Sequence, residues 1–410
     1  IMYSGKAVGL LDLEFLHRGL PVMELEARLE PASAASGDDA AAPAADTFPP
    51  LSELLTAVLA DPNVCSRETL VRQYDHEVQG GSVVKPFVGA AADGPSDGAV
   101  VMPRYDSFRG ITVTHGVCPR YGDADSYQMA ANAVDEAFRA HVALGGDPDY
   151  AAALDNFCWP DPVASPSNPD GAHKLAQLVE TARGLAAACL AYGLPLISGK
   201  DSMKNDAWSG TRKISIRPTL LVSLIGIIPD VRRAITTDFK TPGDLIYILG
   251  LTGDECAGSI LERVTGKRFA RVPAVDPERA LPLYRVLHQA ILKKLVRSCH
   301  DCAEGGLLTA LAESAIGGRT GFFVDLDELP LREGEPPGLH SLLFSESASR
   351  LVVSVPPEHE KEFSSLFASQ PHGFLGRVTA DDNLVVSLSG KRVMALPLAQ
   401  ALAAWKGTLA

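Results

Sequence analysis

The sequence lacks any run of about 18 consecutive apolar residues, which excludes a membrane-spanning helix. It also lacks an excess of positive charge: 37 Lys and Arg stand against 50 Asp and Glu, for a formal net charge of −13. A pI near 5.3 offers no broad basic field for a nucleic-acid backbone or an anionic membrane surface. A local pocket for one nucleotide needs only a few groups and is not excluded. Cysteines are few, seven in 410 residues. That odd number in a long chain argues against a disulfide framework and for a reducing, cytoplasmic setting. No G-x-x-x-x-G-K-[ST] loop is present, so a Walker A nucleotide site is excluded. The first residues, Ile1-Met2-Tyr3-Ser4-Gly5, carry neither the charged nor the apolar region of a signal peptide and do not open on Met. The chain is therefore expected to be cut from a longer polypeptide.

What is present is an ordinary globular composition, 46% apolar and 21% charged. Alternation at Leu11, Leu13 and Phe15, and again from Val22 to Ala27, predicts two short strands, the tail (1–30) of a preceding domain. Residues 31–50 are mostly Ala, Pro, Ser and Asp and predict a linker. A helical connector follows over 51–84. Residues 85–237 mix strands with long helices at 127–144 and 172–192, the latter closed by Gly193 and Pro195. After the turn Thr241-Pro242-Gly243-Asp244, residues 238–410 predict a second α+β unit.

Four constellations could carry chemistry. Asp97 closes the acidic loop Asp93-Gly94-Pro95-Ser96-Asp97, and Glu136 lies within the first long helix. Such carboxylates suit Mg²⁺ held together with nucleotide phosphates, but equally an acidic turn and a solvated helix face. Asp123-Ala124-Asp125 has a similar claim. In Leu196-Ile197-Ser198-Gly199-Lys200-Asp201-Ser202-Met203 an apolar strand runs into a polar loop able to offer backbone N–H groups and Lys200 to a phosphate, or into a plain turn. In His300-Asp301-Cys302-Ala303-Glu304-Gly305-Gly306-Leu307 two glycines precede a helix whose N-terminus favours an anion, with Asp301 placed to hold a metal; a glycine-rich helix start is the alternative. Cys299-x-x-Cys302 has no second pair, and structural zinc wants four ligands. Asp155-Asn156-Phe157-Cys158-Trp159-Pro160 sets an acid beside aromatic and amide groups in a Pro-rich loop. His76 and His115 read as packed or surface residues.

Taken together, these segments resemble the phosphoribosylformylglycinamidine synthase family, glutamine-dependent purine ligases of the aminoimidazole-ribonucleotide-synthetase-like superfamily. The matching pieces run in order from Arg72-Gln73-Tyr74-Asp75-His76-Glu77-Val78-Gln79-Gly80, through Asp97-Gly98-Ala99-Val100, Asp135-Glu136-Ala137, Asp155-Asn156-Phe157 and Ser198-Gly199-Lys200-Asp201-Ser202. They end with His300-Asp301, Gly305-Gly306-Leu307, and Phe344-Ser345-Glu346-Ser347 with Arg350. Singly each is weak; the ordered set is specific.

The resemblance implies a two-domain α+β unit: an N-terminal-type α/β domain whose strands build a β-barrel-like interface, then a C-terminal-type α+β domain. The family's synthetase has two such copies, and this chain resembles the tail of the first, the linker and all of the second. The first copy's Glu-Ser-His-Asn-His-Pro-type catalytic loop is absent from these residues, as is a glutaminase domain. The implied activity is ATP-dependent amidine formation on formylglycinamide ribonucleotide with nitrogen from glutamine, the fragment alone being inactive. The implied cofactors are ATP or ADP and Mg²⁺. The implied partners are the nucleotide, the ribonucleotide substrate, a glutaminase domain or subunit, and the first half or a homodimer mate. By resemblance, Asp97, Glu136 and Asp301 are metal ligands, and Asp155, Gly199, Lys200, Ser202, Gly305 and Gly306 meet nucleotide or substrate. Where the family often has Asn and Ser, this chain has Ala140 and Ala303, which removes oxygen donors. A non-catalytic nucleotide-binding half, or another ATP-using member of the superfamily, is the alternative.

Overall fold

The computed structural model describes residues 1–19, 22–29, 48–334 and 336–410. The expected linker lies outside the described residues over 31–47.

The opening segment departs from the pattern read in the sequence. Where a strand was expected, Leu13–Arg18 is a helix, and 22–29 has no regular structure. Asp12 caps that helix by accepting from Glu14 N, and Leu, Glu and Arg favour it. A strand would need a neighbour, and the only pairing among the described residues here is the short Met2–Tyr3/Lys6–Ala7 hairpin. The segment buries nothing: Leu10 is 93% exposed and Val22 90%.

Two large sheets then form, neither of them a doubly wound parallel sheet, besides a small hairpin of Asp206–Ser209 with Arg212–Ser215. The first large sheet is built from β1 (Ser82–Val84), β2 (Ala99–Val101), β3 (Gly110–Val117), β4 (Ala151–Cys158), β5 (Leu196–Ser202) and β6 (Thr219–Ile228). Their spatial order is β1-β2-β3-β6-β4-β5, antiparallel except for the β4–β5 pair. The sheet is open in this chain, not closed into a barrel. One face is covered by two helices, Ser126–Ala143 (α1) and Gly171–Tyr192 (α2). Alternation sorts the residues: Leu220, Val222 and Leu224 of β6 turn inward, while Val113, Leu154 and Ile225 on three neighbouring strands stay 36–44% exposed on the outer face.

Asp125 caps α1 through Gln128 N, and Ala130, Ala133 and Ala137 let it lie close on the sheet. Gly116 is required by this approach, because a Cβ there would sit 2.1 Å from the Ala133 carbonyl.

The second sheet contains β7 (Leu245–Leu249), β8 (Ser298–Asp301), β9 (Gly321–Asp325), β10 (Leu351–Val355), β11 (His372–Thr379), β12 (Asn383–Leu388) and β13 (Lys391–Pro397). The order is β8-β10-β7-β11-β9-β12-β13, with only β9–β12 parallel. Every residue of β7 is buried, since both faces are covered. Ile246 and Ile248 join one core with the helices Leu51–Leu59, Gly306–Gly318 and Leu398–Gly407, so the connector helix packs into this unit. Leu245, Tyr247 and Leu249 point the other way, into a core shared with Tyr284 and Leu287 of helix Pro277–Leu292 and with Met129 and Ala133 of α1. The two sheets are thus joined through one continuous apolar interior.

Candidate functional site

Where the sheets meet, a cleft of about 520 Å³ opens, lined by residues distant in sequence: Asp97 before β2, Glu136 on α1, His300 and Asp301 ending β8, then Ala303 and Glu304, with Ala140 on one wall. An adjoining hollow of about 410 Å³ shares Asn63, Arg67, His115, Glu136 and Glu304 with it. Residue spacing alone could not link these groups; β8 ends beside Asp97 because it pairs with β10 at the edge of the second sheet.

Asp97 is tightly held. One carboxylate oxygen is 2.6 Å from His300 Nδ1, and the other accepts from Asp301 N at 3.2 Å. The opposite ring nitrogen, Nε2, lies 3.1 Å from Glu313. Burial lifts the Asp97 carboxyl to about 6 despite its imidazole partner. Burial alone would lower His300, but Asp97 and Glu313 outweigh it and hold the imidazole well above its ordinary value. Asp301 has one oxygen 2.8 Å from Arg139 Nε, while its other lies 3.8 Å from His300 Nδ1. Glu136 accepts from Val117 N at 3.0 Å and from the Cys118 thiol at 3.3 Å. Burial raises its pKa and pushes Glu304 well above the carboxylate range.

Among the described residues, Asp97, His300 and Asp301 bring ligand atoms within 4.8 Å of one another. Glu136 lines the same cleft outside that group. A hard divalent cation fits this chemistry. Carboxylate oxygens predominate, and Asp301 keeps one oxygen clear of the Arg139 contact. Cys299 and Cys302 are buried free thiols and lie outside the one ligand group found among the described residues.

The other acidic candidates have structural duties. Asp93 pairs with Arg319 and Lys406, Asp123 pairs with Arg217, and Asp125 caps α1. Gly305 and Gly306 have positive φ, and a Cβ on Gly306 would lie 2.3 Å from the Ser345 carbonyl. The anion expected at this helix start is supplied by the chain itself: Glu346 accepts from Gly305 N at 2.8 Å, Ile260 N at 2.9 Å and the Tyr121 hydroxyl at 2.6 Å.

Asp155, Gly199, Lys200 and Ser202 lie elsewhere. The expected loop over 198–202 is part of β5, an exposed edge strand, and Asp155 sits in β4 instead of a Pro-rich loop. Gly199 faces Asp155, where a Cβ would be 2.8 Å from its carboxylate. Burial raises the Asp155 pKa. The row Val117, Leu221, Asn156, Lys200 crosses the sheet. Lys200 is therefore three strand spacings, roughly 14 Å, from the strand on which Glu136 docks. The cleft and the edge are separate groups. Sequence reasoning passed over Arg139, Glu304 and Glu313. Arg139 alone left a signal, an i,i+4 pairing with Asp135.

Two adjoining family profiles match this chain: AIR synthase related protein, N-terminal domain, over residues 95–228, and AIR synthase related protein, C-terminal domain, over 241–389. The chain belongs to the AIR synthase related family. Within it, the chain is 34% identical over 362 residues to phosphoribosylformylglycinamidine synthase subunit PurL of Alkaliphilus metalliredigens, covering 88% of this chain and 45% of that protein. The fold is shared with T. maritima PurL complexed with FGAR, at a TM-score of 0.64 and 20% identity, over 86% of this chain and 54% of that one. T. maritima PurL complexed with ADP gives a TM-score of 0.64 at 19% identity, over 87% and 52%. The chain spans under half the length of the curated relatives it matches.

Proposed function

We propose that this chain is the second half of an ATP-dependent ligase that converts formylglycinamide ribonucleotide to the formylglycinamidine, using nitrogen from glutamine. Its own part is to hold a nucleotide in the cleft between its two sheets. The observation that carries this reading is the meeting of Asp97 and Asp301, with Glu136 lining the same cleft, in a space large enough for phosphates and a cation.

Asp97 and Asp301 would hold Mg²⁺, with Glu136 lining the same cleft. The ion supplies neutralisation for phosphate oxygens. The chain's own groups prepare that place: His300 orients Asp97 and Arg139 orients Asp301. Ala140 and Ala303 contribute no oxygens, so nucleotide is held more weakly here than in relatives with Asn and Ser at those positions.

Asp155, Gly199, Lys200 and Ser202 belong to a second place, completed by the first half or a second copy. The open edge of β5 and the half-exposed Val113, Leu154 and Ile225 on the outer face support that reading. Lys200 there would meet a phosphate as a point charge. A glutaminase domain or subunit would supply the ammonia.

Calorimetric titration with ADP tests the cleft. Binding should need Mg²⁺, and Asp301→Asn should weaken it by about 1–3 kcal/mol, the worth of a charge-assisted contact. Equal affinity with Mg²⁺ and with a chelator would refute the cation's role. The isolated chain should give no amidine from ATP, ammonium and substrate, and should gain turnover when the first half is added. Turnover by the chain alone at a full-length relative's rate would overturn the division of labour.

A further inference from the structure

Beneath the cleft lies a carboxylate that sees no solvent and that the proposed function does not use. Asp135 is fully buried on α1, yet five donors converge on it. Tyr192 and Tyr284 hydroxyls each reach one oxygen at 2.6 Å, and the Ser349 hydroxyl joins them at 2.8 Å. The other oxygen accepts from Ser349 N at 3.0 Å and Arg139 Nη1 at 2.8 Å. Arg139 then reaches Asp301 with Nε, also at 2.8 Å. One guanidinium is therefore shared between a sealed carboxylate and one that faces the cleft.

The donors come from both halves of the fold: Tyr192 and Arg139 from the first sheet's helices, Tyr284 and Ser349 from the second unit. Ser349 has φ +61, a left-handed conformation that a serine holds only when its surroundings impose it, and both its amide and hydroxyl are bound by Asp135. A planar fork clamped on one side presents its remaining N–H groups in a fixed direction. It thereby sets which oxygen of Asp301 turns away toward the cleft.

We propose that Arg139, clamped by Asp135 and its tyrosine and serine donors, is a positioning residue that aims Asp301 at the cation site and ties that aim to the seating of one sheet on the other. This rests on the cleft being a cation site. Coulomb attraction alone gives the opposite sign, because Arg139 is a cation beside the site and weakening its hold would leave the acids freer to attract a metal.

The test uses Mn²⁺ without nucleotide, its affinity read by electron paramagnetic resonance on the full chain. The variants are Tyr192→Phe/Tyr284→Phe, which keeps every charge and ring, and Arg139→Lys, which keeps the charge but not the fork. Each should weaken Mn²⁺ by roughly 10- to 100-fold, the effect of losing a partner that orients a ligand. Thermal unfolding is followed in parallel. Lowered thermal stability with unchanged or tighter Mn²⁺ binding in the folded range would overturn the proposal and leave the cluster as packing. If the folded wild-type chain and Asp301→Asn bind Mn²⁺ equally, the cation site itself fails, and the proposal falls with it by a separate arm.

Discussion

Glu346 is the side chain whose removal the structure prices most directly. Its carboxylate fills the space between two helix starts, Ile260–Thr265 and Gly306–Gly318, and accepts from two backbone N–H groups and one hydroxyl. Glu346→Ala strips all three donors of their partner. A buried donor left unmade costs about 1–3 kcal/mol. Because Glu346 borders the hollow beside the cleft, water can reach part of the space, which places the sum near the lower end, about 3–5 kcal/mol. Glu346→Gln behaves differently. Its amide oxygen can keep both N–H groups, and its NH₂ can donate to the Tyr121 oxygen. Burial raises the Glu346 pKa although Gly305, Tyr121 and Ile260 all favour the charged form. A folded pKa above the unfolded one means that the carboxylate's stabilising balance is complete below the ordinary glutamate range and is lost as pH rises through the folded value. At pH 7 the charge is therefore a burden that Gln removes. Glu346→Gln should fall within about 1.5 kcal/mol of wild type at pH 7, the scale of a single net hydrogen bond. Urea unfolding followed by circular dichroism measures both variants. The reasoning is refuted if Ala costs less than about 1 kcal/mol, or if Gln costs as much as Ala.

Further outcomes follow from other groups. Gly306→Ala should lower stability by at least about 2 kcal/mol in the same assay, since it combines a positive φ with a clash on the Ser345 carbonyl; a neutral result would show that the helix start can shift. His141 is fully buried, and burial, aided by nearby His288, lowers it to about 4 although the Asp147 carbonyl bond opposes the shift. The unfolded chain takes up this proton first, so stability should fall as pH drops from 6.5 toward 4, by about 3 kcal/mol from this group. Wild type should lose more than His141→Gln over that window; parallel losses would remove the histidine from the account. Ala140→Asn should tighten Mg²⁺-dependent ADP binding by restoring an oxygen to the cleft wall, and calorimetry showing unchanged affinity would count against that wall as a ligand surface.

Much of this was legible in the sequence where local physics decides. The long helices at 126–143 and 171–192 carry their own caps, Asp125 and Gly193, and the fully buried strand β7 is apolar throughout. The opening segment misled because alternation over a few residues does not specify a strand without a partner, and Asp12 gave the helix a start. The stretch at 198–202 read as a loop because it is polar, but polarity there marks an edge strand with solvent on its flanks. At Gly305 the glycines read as a helix start open to an anion; no local pattern could say that Glu346, 41 positions further on, accepts from that backbone N–H. Arg139 stayed invisible as a site residue because its second partner, Asp301, is 162 positions away.

The shared interior behind β7 bears on how this chain can be handled as a piece of matter. The family profiles divide it between residues 228 and 241, the natural place for a gene engineer to cut. In space no seam exists there: Tyr284 and Leu287 lie against the alanine face of α1, and Asp135 draws its hydroxyls from both sides. A cut would bare that oily wall on two fragments at once and strand Asp135 without two of its hydroxyl donors. The two stretches that the profiles mark thus share one core. Shuffling this family's modules between proteins should succeed only when both parts of the pair travel together.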